Sequence, residues 1–235
     1  MYESERIDNY YYHRSGFELE IPPTVMIPSA YTELLFDGIP SEVNGKKGLD
    51  LGCGCGLLAI KLAHMGCRLV VATDINPSSI LATRSNANIN GVCDLVDPVE
   101  ADMFLGLPKD FDIIVFNPPS FPSLTSKKLR PNFYAGKDGR KFIDLAIKSA
   151  KYHLSPGGVF VYIQNSLSNF QASINLIEKE GYKFRVLSEA EAEFREEYYT
   201  QLGHLSDLRS DGCCEYEERE GKAYQKIYVM ELRYG

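Results

Sequence analysis

Apolar and polar residues follow one another along most of the chain in blocks that predict alternating strands and helices. The predicted strands are short apolar runs, as is typical of a sheet with both faces buried. We predict them to end at Leu51 and to cover 68–74, 95–100, 111–116, 159–164, 182–188 and 223–232. Apolar faces and helix-stop residues predict helices over 57–65, 77–90, 141–154 and 170–180. This alternation indicates an α/β fold with a doubly wound, mostly parallel sheet of seven strands.

The first 40 residues carry a different pattern, which predicts a separate N-terminal part, 1–40, before the core, 41–235. Residues 10–12 and 17–21 predict a hairpin, and 30–36 predicts a helix. This part is either a structural cap over the core or a lid whose aromatic residues line the substrate pocket. We assign it as a substrate lid, with the structural cap as the alternative.

A polar stretch at about 189–222 separates the last two predicted strands, and we interpret it as an insertion on the substrate side of the core. Its first half is strongly acidic. Such a run is either a solvated helix face or a wall that attracts a cationic substrate. In the second case Tyr198, Tyr199 and His204 are candidate contacts.

A glycine-rich turn connects the first predicted strand of the core to the first helix of the core. Gly52, Gly54 and Gly56 occupy every second position of this turn, which follows Asp50. Without a Cβ they let the chain bend sharply and let a cofactor approach backbone N–H groups at the helix N-terminus. A dinucleotide fingerprint, G-x-G-x-x-G, would need its third glycine at Leu57, so the spacing excludes that motif.

A second acidic residue supports a cofactor site at this turn. The predicted strand 68–74 ends in Asp74, about 20 residues after the first glycine, where a carboxylate binds a ribose diol in nucleotide-binding sheets. The alternative is a solvated acid at a strand end. The pattern D-x-G-x-G-x-G with this later acid resembles the first motif of class I, Rossmann-like methyltransferases that use S-adenosylmethionine.

The resemblance implies S-adenosylmethionine as the cofactor and a role for several residues. In that family the first acid and the glycine loop hold the amino-acid end of the cofactor. The acid after the third strand, here Asp102, takes the adenine amine, and its neighbour Met103 packs on the ring. The implied cofactor-binding residues are Asp50, Gly52, Cys53, Gly54, Gly56, Asp74, Ile75, Asp102, Met103 and Asn117.

The predicted strand 111–116 is followed by Asn117, Pro118, Pro119 and Ser120. Such a sequence can simply end a strand, because proline lacks an N–H and holds the preceding residue extended. It also resembles the (N/D)-P-P-(Y/F/W) motif of methyltransferases that act on planar nitrogens. In that family the Asn oxygen and the first Pro carbonyl accept hydrogen bonds from the target NH2. The resemblance therefore implies that Asn117 and Pro118 are catalytic.

Further segments make the resemblance more specific. Residues 25–33, 50–56, 117–119 and 134–139 are together similar to protein-(glutamine-N5) methyltransferases of the HemK/PrmC type, over roughly 24–188. The sequence departs from that family in its short tyrosine-rich N-terminal part and in its serine at the aromatic position of the motif. The implied substrate-binding residues are Pro119, Ser120, Phe121 and Tyr134, where Phe121 or Tyr134 substitutes for the missing ring.

Net charge and composition reduce the number of acceptor classes that the protein is expected to methylate. A net charge of −7 and a pI near 5.2 give no general attraction to phosphate backbones, so nucleic acid is the less favoured partner. We predict an N-methyltransferase acting on a protein side-chain amide or a small amine or amide. The alternatives are an enzyme for exocyclic amines of RNA or DNA bases and a catalytically silent cofactor-binding subunit. The sequence leaves open whether a small activator subunit takes part.

The expected cellular location follows from two patterns that the sequence lacks, a signal peptide and a membrane span. The first residues have neither the cationic nor the apolar region of a signal peptide, and no run approaches the ~18 apolar residues of a membrane span. We therefore expect a cytoplasmic protein that binds no membrane. The six cysteines and four histidines show no metal-ligand spacing, so we expect no metal site.

Overall fold

The computed structural model describes residues 9–14, 16–124 and 134–235. Contacts divide the chain into two compact units, each made of two pieces of sequence. The first combines the described part of Met1–Ser29 with Pro40–Leu107, and the second combines Ala30–Ile39 with the described part of Pro108–Gly235. These boundaries differ from a division at residue 40, because the helix at Ala30–Gly38 packs on strands of the second unit. The domain boundary at 40 and the role of 1–40 as a lid stay predictions.

Strands and helices alternate along the described chain. In chain order they are β1 (Tyr10–Arg14), β2 (Phe17–Ile21), α1 (Ala30–Gly38), β3 (Lys47–Leu51), α2 (Leu57–His64), β4 (Leu69–Asp74), α3 (Pro77–Ile89), β5 (Val96–Glu100), β6 (Phe111–Phe116), α4 (Lys141–Ala150), β7 (Leu154–Asn165), α5 (Phe170–Lys179), β8 (Tyr182–Glu193), α6 (Glu196–Tyr199), α7 (Leu202–Ser210), β9 (Glu217–Arg219) and β10 (Lys222–Tyr234). A short 3-10 helix, Ser166–Ser168, follows β7.

The first unit contains three parallel strands in the order β5-β4-β3. Leu51 lies opposite Thr73, and Asp74 lies opposite Glu100, so the carboxyl ends of the three strands open at one edge. Asn76 begins α3 by accepting a hydrogen bond from the Ser78 N–H at 3.0 Å, with proline at the first helical position. The acidic ends of β3 and β4 and the glycine-rich turn therefore share this edge.

The second unit contains β6, β7, β10 and β8 in that order, with β9 added beside β10. β6 and β7 run parallel, whereas β10 is antiparallel to both β7 and β8. β6 is buried at nearly every position, as its continuous apolar sequence predicts. Its last residue is followed directly by Asn117, so this sheet positions the second candidate motif.

All seven strands predicted for the core form within the described residues, and the short β9 is an addition to them. The predicted helix 141–154 is too long. It ends at Ala150, because the N–H groups of Tyr152 and His153 turn back to carbonyls three residues earlier and β7 begins at Leu154. The predicted strand 182–188 is too short, since β8 continues to Glu193 beside β10.

The acidic run in the predicted insertion is mainly strand, and the prediction of a helix face is wrong there. Three of its glutamates alternate along β8 and pair with cations on β9 and β10. The ion pairs are Glu189–Lys226 at 3.0 Å, Glu193–Lys222 at 2.9 Å and Glu191–Arg219. These three charges are balanced within the chain. Glu196 and Glu197 of the same run lie in α6, so a cation-attracting wall at that helix stays a prediction.

The N-terminal hairpin is held by two asparagines of α3. Asn86 accepts from the Glu20 N–H at 2.8 Å and donates to the Glu20 carbonyl at 3.1 Å. Asn90 repeats this pair of contacts with Glu18, at 3.1 and 2.8 Å. The two carboxamides thus bond to β2 as a neighbouring strand would, and these contacts support a structural role for the hairpin. Among the described residues, no helix combines the length and apolar character that crossing a membrane requires.

Candidate functional site

The glycine-rich turn after β3 depends on backbone conformations that favour glycine. Gly52, Gly54 and Gly56 all have positive φ, at 70°, 55° and 85°. A Cβ on Gly56 would lie 2.8 Å from the Thr83 side chain, so this residue must be glycine for the turn to pack on α3. At Gly54, by contrast, no described atom lies within 4 Å of where a Cβ would be, so the turn is open on that side.

The N–H groups of this turn are used within the protein. Cys53 N–H donates to the Thr73 carbonyl at 2.8 Å, Gly56 N–H to the Cys53 carbonyl at 2.8 Å, and Gly54 N–H to Asp74 Oδ2 at 3.0 Å. These three N–H groups are therefore bonded within the protein, and a contact between the turn and a cofactor stays a prediction. Cys53 is buried, and its thiol lies 3.3 Å from the Thr83 hydroxyl, so its contacts within this unit are structural.

Asp50 in β3 leaves one polar atom for a ligand. Its Oδ2 accepts from the Ala59 N–H in the first turn of α2 at 2.9 Å. Its Oδ1 is buried and has no hydrogen-bond partner among the described residues. Burial raises the pKa of the Asp50 carboxyl to about 7, and the charge of Asp74 adds to that increase. A cation at Oδ1 would satisfy this atom and lower the pKa again.

Asp74 both holds the turn and keeps capacity for a ligand. Its two carboxylate oxygens accept from the backbone N–H groups of Gly54, at 3.0 Å, and Asn76, at 2.8 Å. A carboxylate has about four acceptor positions, so about two stay available for hydroxyl donors such as a ribose diol. Asp50 and Asp74 together place two carboxyl groups at this edge of the first unit.

Three further cofactor candidates, Ile75, Asp102 and Met103, lie just after strand ends of the same unit. Ile75 follows Asp74 and is 66% exposed. Asp102 is exposed, and its neighbour Met103 has a φ of 51°, in the left-handed region that a non-glycine residue rarely adopts. The Ala101 N–H donates to the Asp74 carbonyl at 3.1 Å, which ties this segment to the end of β4. Their contacts with a cofactor stay predictions.

The second unit positions the Asn117 motif directly after β6. Asn117 is half-buried, and its Nδ2 donates to Thr32 Oγ1 of α1 at 3.0 Å. Pro118 is buried and Pro119 is half-buried. Because the amide nitrogen of Asn117 is taken by α1, the acceptor end of that side chain, Oδ1, points away from this contact.

Ser120 points into the protein rather than toward solvent. Its side chain is 7% exposed, and its Oγ accepts from Asn165 Nδ2 at 3.1 Å. The same nitrogen donates to the Tyr31 hydroxyl at 3.2 Å. A Cβ on Gly139 would lie 2.5 Å from the Ser120 carbonyl, so glycine is required where that loop crosses the motif. Ser120 therefore anchors the motif. Its hydroxyl is buried, so it is not exposed for the expected contact with the substrate.

Phe121 does not replace the missing aromatic ring of the motif. It is 1% exposed, and its ring stacks on Tyr198 with centroids 3.9 Å apart. Tyr198 and the residues after it fold over this ring as a small apolar core that includes Leu205 and Tyr216. Tyr134 is half-buried and pairs with Phe121 through an isolated bridge, so it is the remaining aromatic candidate of the two.

Thr32, Tyr31 and Asn165 are residues of the site that the sequence motifs did not identify. Thr32 and Tyr31 belong to α1, far from Asn117 in sequence, and Asn165 ends β7. A resemblance over 25–33 includes the first two but assigns no role to either. For Asn165 no local pattern gives a signal, because its contacts with Tyr31 and Ser120 join distant parts of the chain.

Comparison with known proteins matches the region of the chain that contains both candidate motifs. The family model of the methyltransferase small domain matches residues 29–192. A candidate protein N5-glutamine methyltransferase of Methanocaldococcus jannaschii is 32% identical over 185 residues, which cover 77% of this chain and 92% of that protein. The release factor glutamine methyltransferase of Geobacter sulfurreducens is 26% identical over 179 residues, with 71% of this chain and 62% of that protein covered.

A solved structure supports the architecture. The Mtq2–Trm112 complex of E. cuniculi, described as responsible for methylation of the eRF1 translation termination factor, contains a chain that aligns with a TM-score of 0.61. The alignment has 20% identity and covers 90% of this chain and 99% of that chain. At that identity the likeness shows the fold alone, and it confirms the class I methyltransferase fold.

Proposed function

The chain belongs to the methyltransferase small domain family, and from this membership we propose that it methylates the side-chain amide nitrogen of a glutamine in a protein, with S-adenosylmethionine as the methyl donor. The relatives that support this acceptor carry glutamine methyltransferase names. The glycine-rich turn, Asp74 and the Asn117 motif all lie within residues 29–192, which the family model matches.

The observation that carries the cofactor assignment is the unpaired, buried Oδ1 of Asp50. A phosphate-bearing cofactor needs free N–H donors at a glycine loop, but those of Cys53, Gly54 and Gly56 are already used. Two carboxylates at the same edge instead suit a cationic group. We assign Asp50 to the ammonium of S-adenosylmethionine and the remaining acceptor positions of Asp74 to its ribose hydroxyls. When bound, this cofactor supplies an electrophilic methyl group on a sulfonium.

Asn117 and Pro118 are assigned to the acceptor amide. An amide nitrogen shares its lone pair with the carbonyl and is a poor nucleophile. Two acceptors, Asn117 Oδ1 and the Pro118 carbonyl, would bond its two N–H groups and fix the direction of the lone pair. As the nitrogen–carbon bond forms and the carbon–sulfur bond breaks, the nitrogen becomes acidic and releases one proton. A strong general base is therefore not required at this site.

The experiment uses the purified chain, S-adenosylmethionine tritiated in its methyl group, and a lysate of the source organism. After incubation the lysate is separated into protein, nucleic acid and small-molecule fractions, and labelled proteins are digested and sequenced by mass spectrometry. We expect label in protein, with the added methyl on a glutamine side chain. A reaction without lysate, and one with the Asn117→Ala protein, are the matched controls.

Three other outcomes would each contradict a defined part of the proposal. Label in nucleic acid would assign the exocyclic-amine reaction, and label in small molecules would exclude a protein acceptor. Cofactor binding without any transfer would assign a silent subunit, if adding the lysate and a purified small partner protein both fail to start the reaction. Transfer that needs such a partner would support an activator subunit, which the E. cuniculi complex makes a specific expectation.

A further inference from the structure

We propose that Thr32 is a positioning residue that fixes which end of the Asn117 carboxamide faces the acceptor. This inference rests on the proposed role of Asn117 in binding the acceptor amide. The contact that carries it is the 3.0 Å hydrogen bond from Asn117 Nδ2 to Thr32 Oγ1. Asn117 is half-buried at the end of β6, and Thr32 lies in the first turn of α1.

The orientation matters because a carboxamide has a donor end and an acceptor end of nearly the same shape. An acceptor amide presents N–H groups, so it can bond only to the oxygen of Asn117. A half-turn about the last side-chain bond would present the NH2 group instead, and two donors would then face each other. The Thr32 hydroxyl favours the productive orientation, because it accepts from Nδ2 and leaves Oδ1 for the acceptor.

The first turn of α1 is itself well anchored to the motif. Tyr31, the neighbour of Thr32, accepts through its hydroxyl from Asn165 Nδ2 at 3.2 Å, and that nitrogen also donates to Ser120 Oγ at 3.1 Å. Thus α1 contacts the beginning of the motif directly, through Thr32, and its end through Asn165. Two such fixed points restrain the distance between Thr32 and Asn117.

The far end of α1 is also close to the sheet. A Cβ on Gly38 would lie 2.9 Å from Val229 Cγ1 of β10, so glycine allows the helix to approach there. The helix as a whole is therefore braced at both ends within the second unit. A threonine on such a helix is a rigid support for a side chain on the neighbouring strand end.

The test compares Thr32→Val, which keeps the shape and removes the hydroxyl, with Thr32→Ser, which keeps the hydroxyl. Initial rates of tritium transfer to the protein fraction are measured at saturating S-adenosylmethionine. We expect Thr32→Val to be roughly 10- to 100-fold slower, as for a small misplacement of a reacting group, and Thr32→Ser to stay within about threefold of the native rate. Thr24→Val, at an exposed threonine, is the matched control and should keep the native rate.

A double-mutant comparison separates positioning from folding. If Thr32 acts only through Asn117, adding Thr32→Val to Asn117→Ala should slow the reaction no further. If the two substitutions instead slow the reaction independently, so that their fold-losses in rate multiply, the inference is overturned. Such a result indicates a general structural defect, because that kind of defect does not depend on the residue at 117. Cofactor affinity by calorimetry should be unchanged in Thr32→Val.

A second readout needs neither acceptor nor cofactor. The side-chain NH2 signals of Asn117 in a nitrogen–proton correlation spectrum are identified by their loss in Asn117→Ala. We expect Thr32→Val to move these signals and to speed their proton exchange, and Thr32→Ser to restore them. Native signals in Thr32→Val would overturn the inference. Full turnover by Asn117→Ala would instead reject the proposed role of Asn117 in binding the acceptor amide, whereas a slow Asn117→Ala with a fully active Thr32→Val would reject the role of Thr32 alone.

Discussion

Gly54 donates its backbone N–H to the carboxylate of Asp74 at 3.0 Å, so the end of β4 holds the middle of the glycine-rich turn. A second oxygen of Asp74 accepts from the Asn76 N–H that precedes α3. The residue that we assign to the ribose is thus also the anchor of the glycine-rich turn. Losing this carboxylate should affect both functions at once.

The first prediction concerns Asp74→Ala. We expect S-adenosylmethionine to bind about 1.5–3 kcal/mol more weakly, the range for hydrogen bonds to a charged group. Calorimetric titration measures this change. Asp97→Ala, which removes an exposed carboxylate from the neighbouring strand, should leave affinity unchanged. Native affinity in Asp74→Ala, or tight NAD binding by the native protein, would reject the assignment.

The second prediction concerns the pH dependence of cofactor binding. Burial raises the pKa of Asp50 to about 7, so below that pH the cofactor-free carboxyl is increasingly protonated and neutral. Only the carboxylate attracts an ammonium group. Affinity should therefore weaken as the pH falls below about 7 and level off just above it. Calorimetry at several pH values measures this, and Asp50→Asn should bind weakly with little change over the same range.

The same raised pKa has a consequence for the cofactor-free protein. Between its usual 3.8 and about 7, Asp50 holds a proton in the folded state that it loses in the unfolded state. Folding stability from this group is thus lost as the pH rises through that interval. Urea unfolding should show this slope in the native protein and a smaller one in Asp50→Asn. Equal slopes would contradict the raised pKa.

The sequence predicted Asp74 because it ends an apolar run, and it predicted Asp50 because the glycine pattern that follows this residue resembles a known motif. It could not predict that the N–H groups of Cys53, Gly54 and Gly56 are used internally, because their partners depend on how β3 and β4 are paired. The sequence also could not show the contacts of Asn165 with Tyr31 and Ser120, because they join segments that are far apart in the chain. The sequence did not predict the full length of β8, because glutamate has a low strand propensity. In the folded protein, cations on β9 and β10 pair with these glutamates.

The third prediction compares the two asparagines that hold the hairpin. Asn86 is buried, and its Nδ2 donates to the Cys55 carbonyl of the glycine-rich turn at 2.9 Å as well as to Glu20. Asn90 bonds to Glu18, and within the described part of the chain its side chain makes no hydrogen bond to that turn, so it is the matched control. Asn86→Ala should lower the free energy of unfolding by about 1–3 kcal/mol and weaken cofactor binding.

Urea unfolding and calorimetry give the two readouts for this pair. Asn90→Ala should cost less stability and leave cofactor affinity nearly unchanged. Equal effects of the two variants on affinity would show that Asn86 has no separate link to the cofactor. The same contacts predict the effect of removing residues 1–21. We expect the truncated protein to lose stability and some cofactor affinity, and this result would favour the structural cap over the lid.

The fourth prediction concerns Ser120, the position where the motif usually has an aromatic ring. Its side chain is 7% exposed and accepts from Asn165, so a tyrosine there would overpack the second unit. Ser120→Tyr should cost about 1–3 kcal/mol of stability. Ser120→Ala, which loses one hydrogen bond, should cost only about 1 kcal/mol. Thermal unfolding measures both, and a Ser120→Tyr protein of native stability would mean that the motif can turn this side chain outward.

The last prediction is that Asn117→Ala separates chemistry from binding. The Asn117 oxygen is assigned to an N–H of the acceptor amide, whose demand for that bond grows as the nitrogen gains positive charge. Its loss should lower kcat by roughly two to three orders of magnitude, as for one preorganised polar contact, and leave cofactor affinity nearly unchanged. Asn117→Asp keeps an acceptor oxygen in either orientation and should retain more activity than Asn117→Ala. Full turnover by Asn117→Ala would mean that Asn117, Pro118 and Pro119 only end β6, and the assigned role of Asn117 in binding the acceptor amide would have to be abandoned even if the cofactor assignment held.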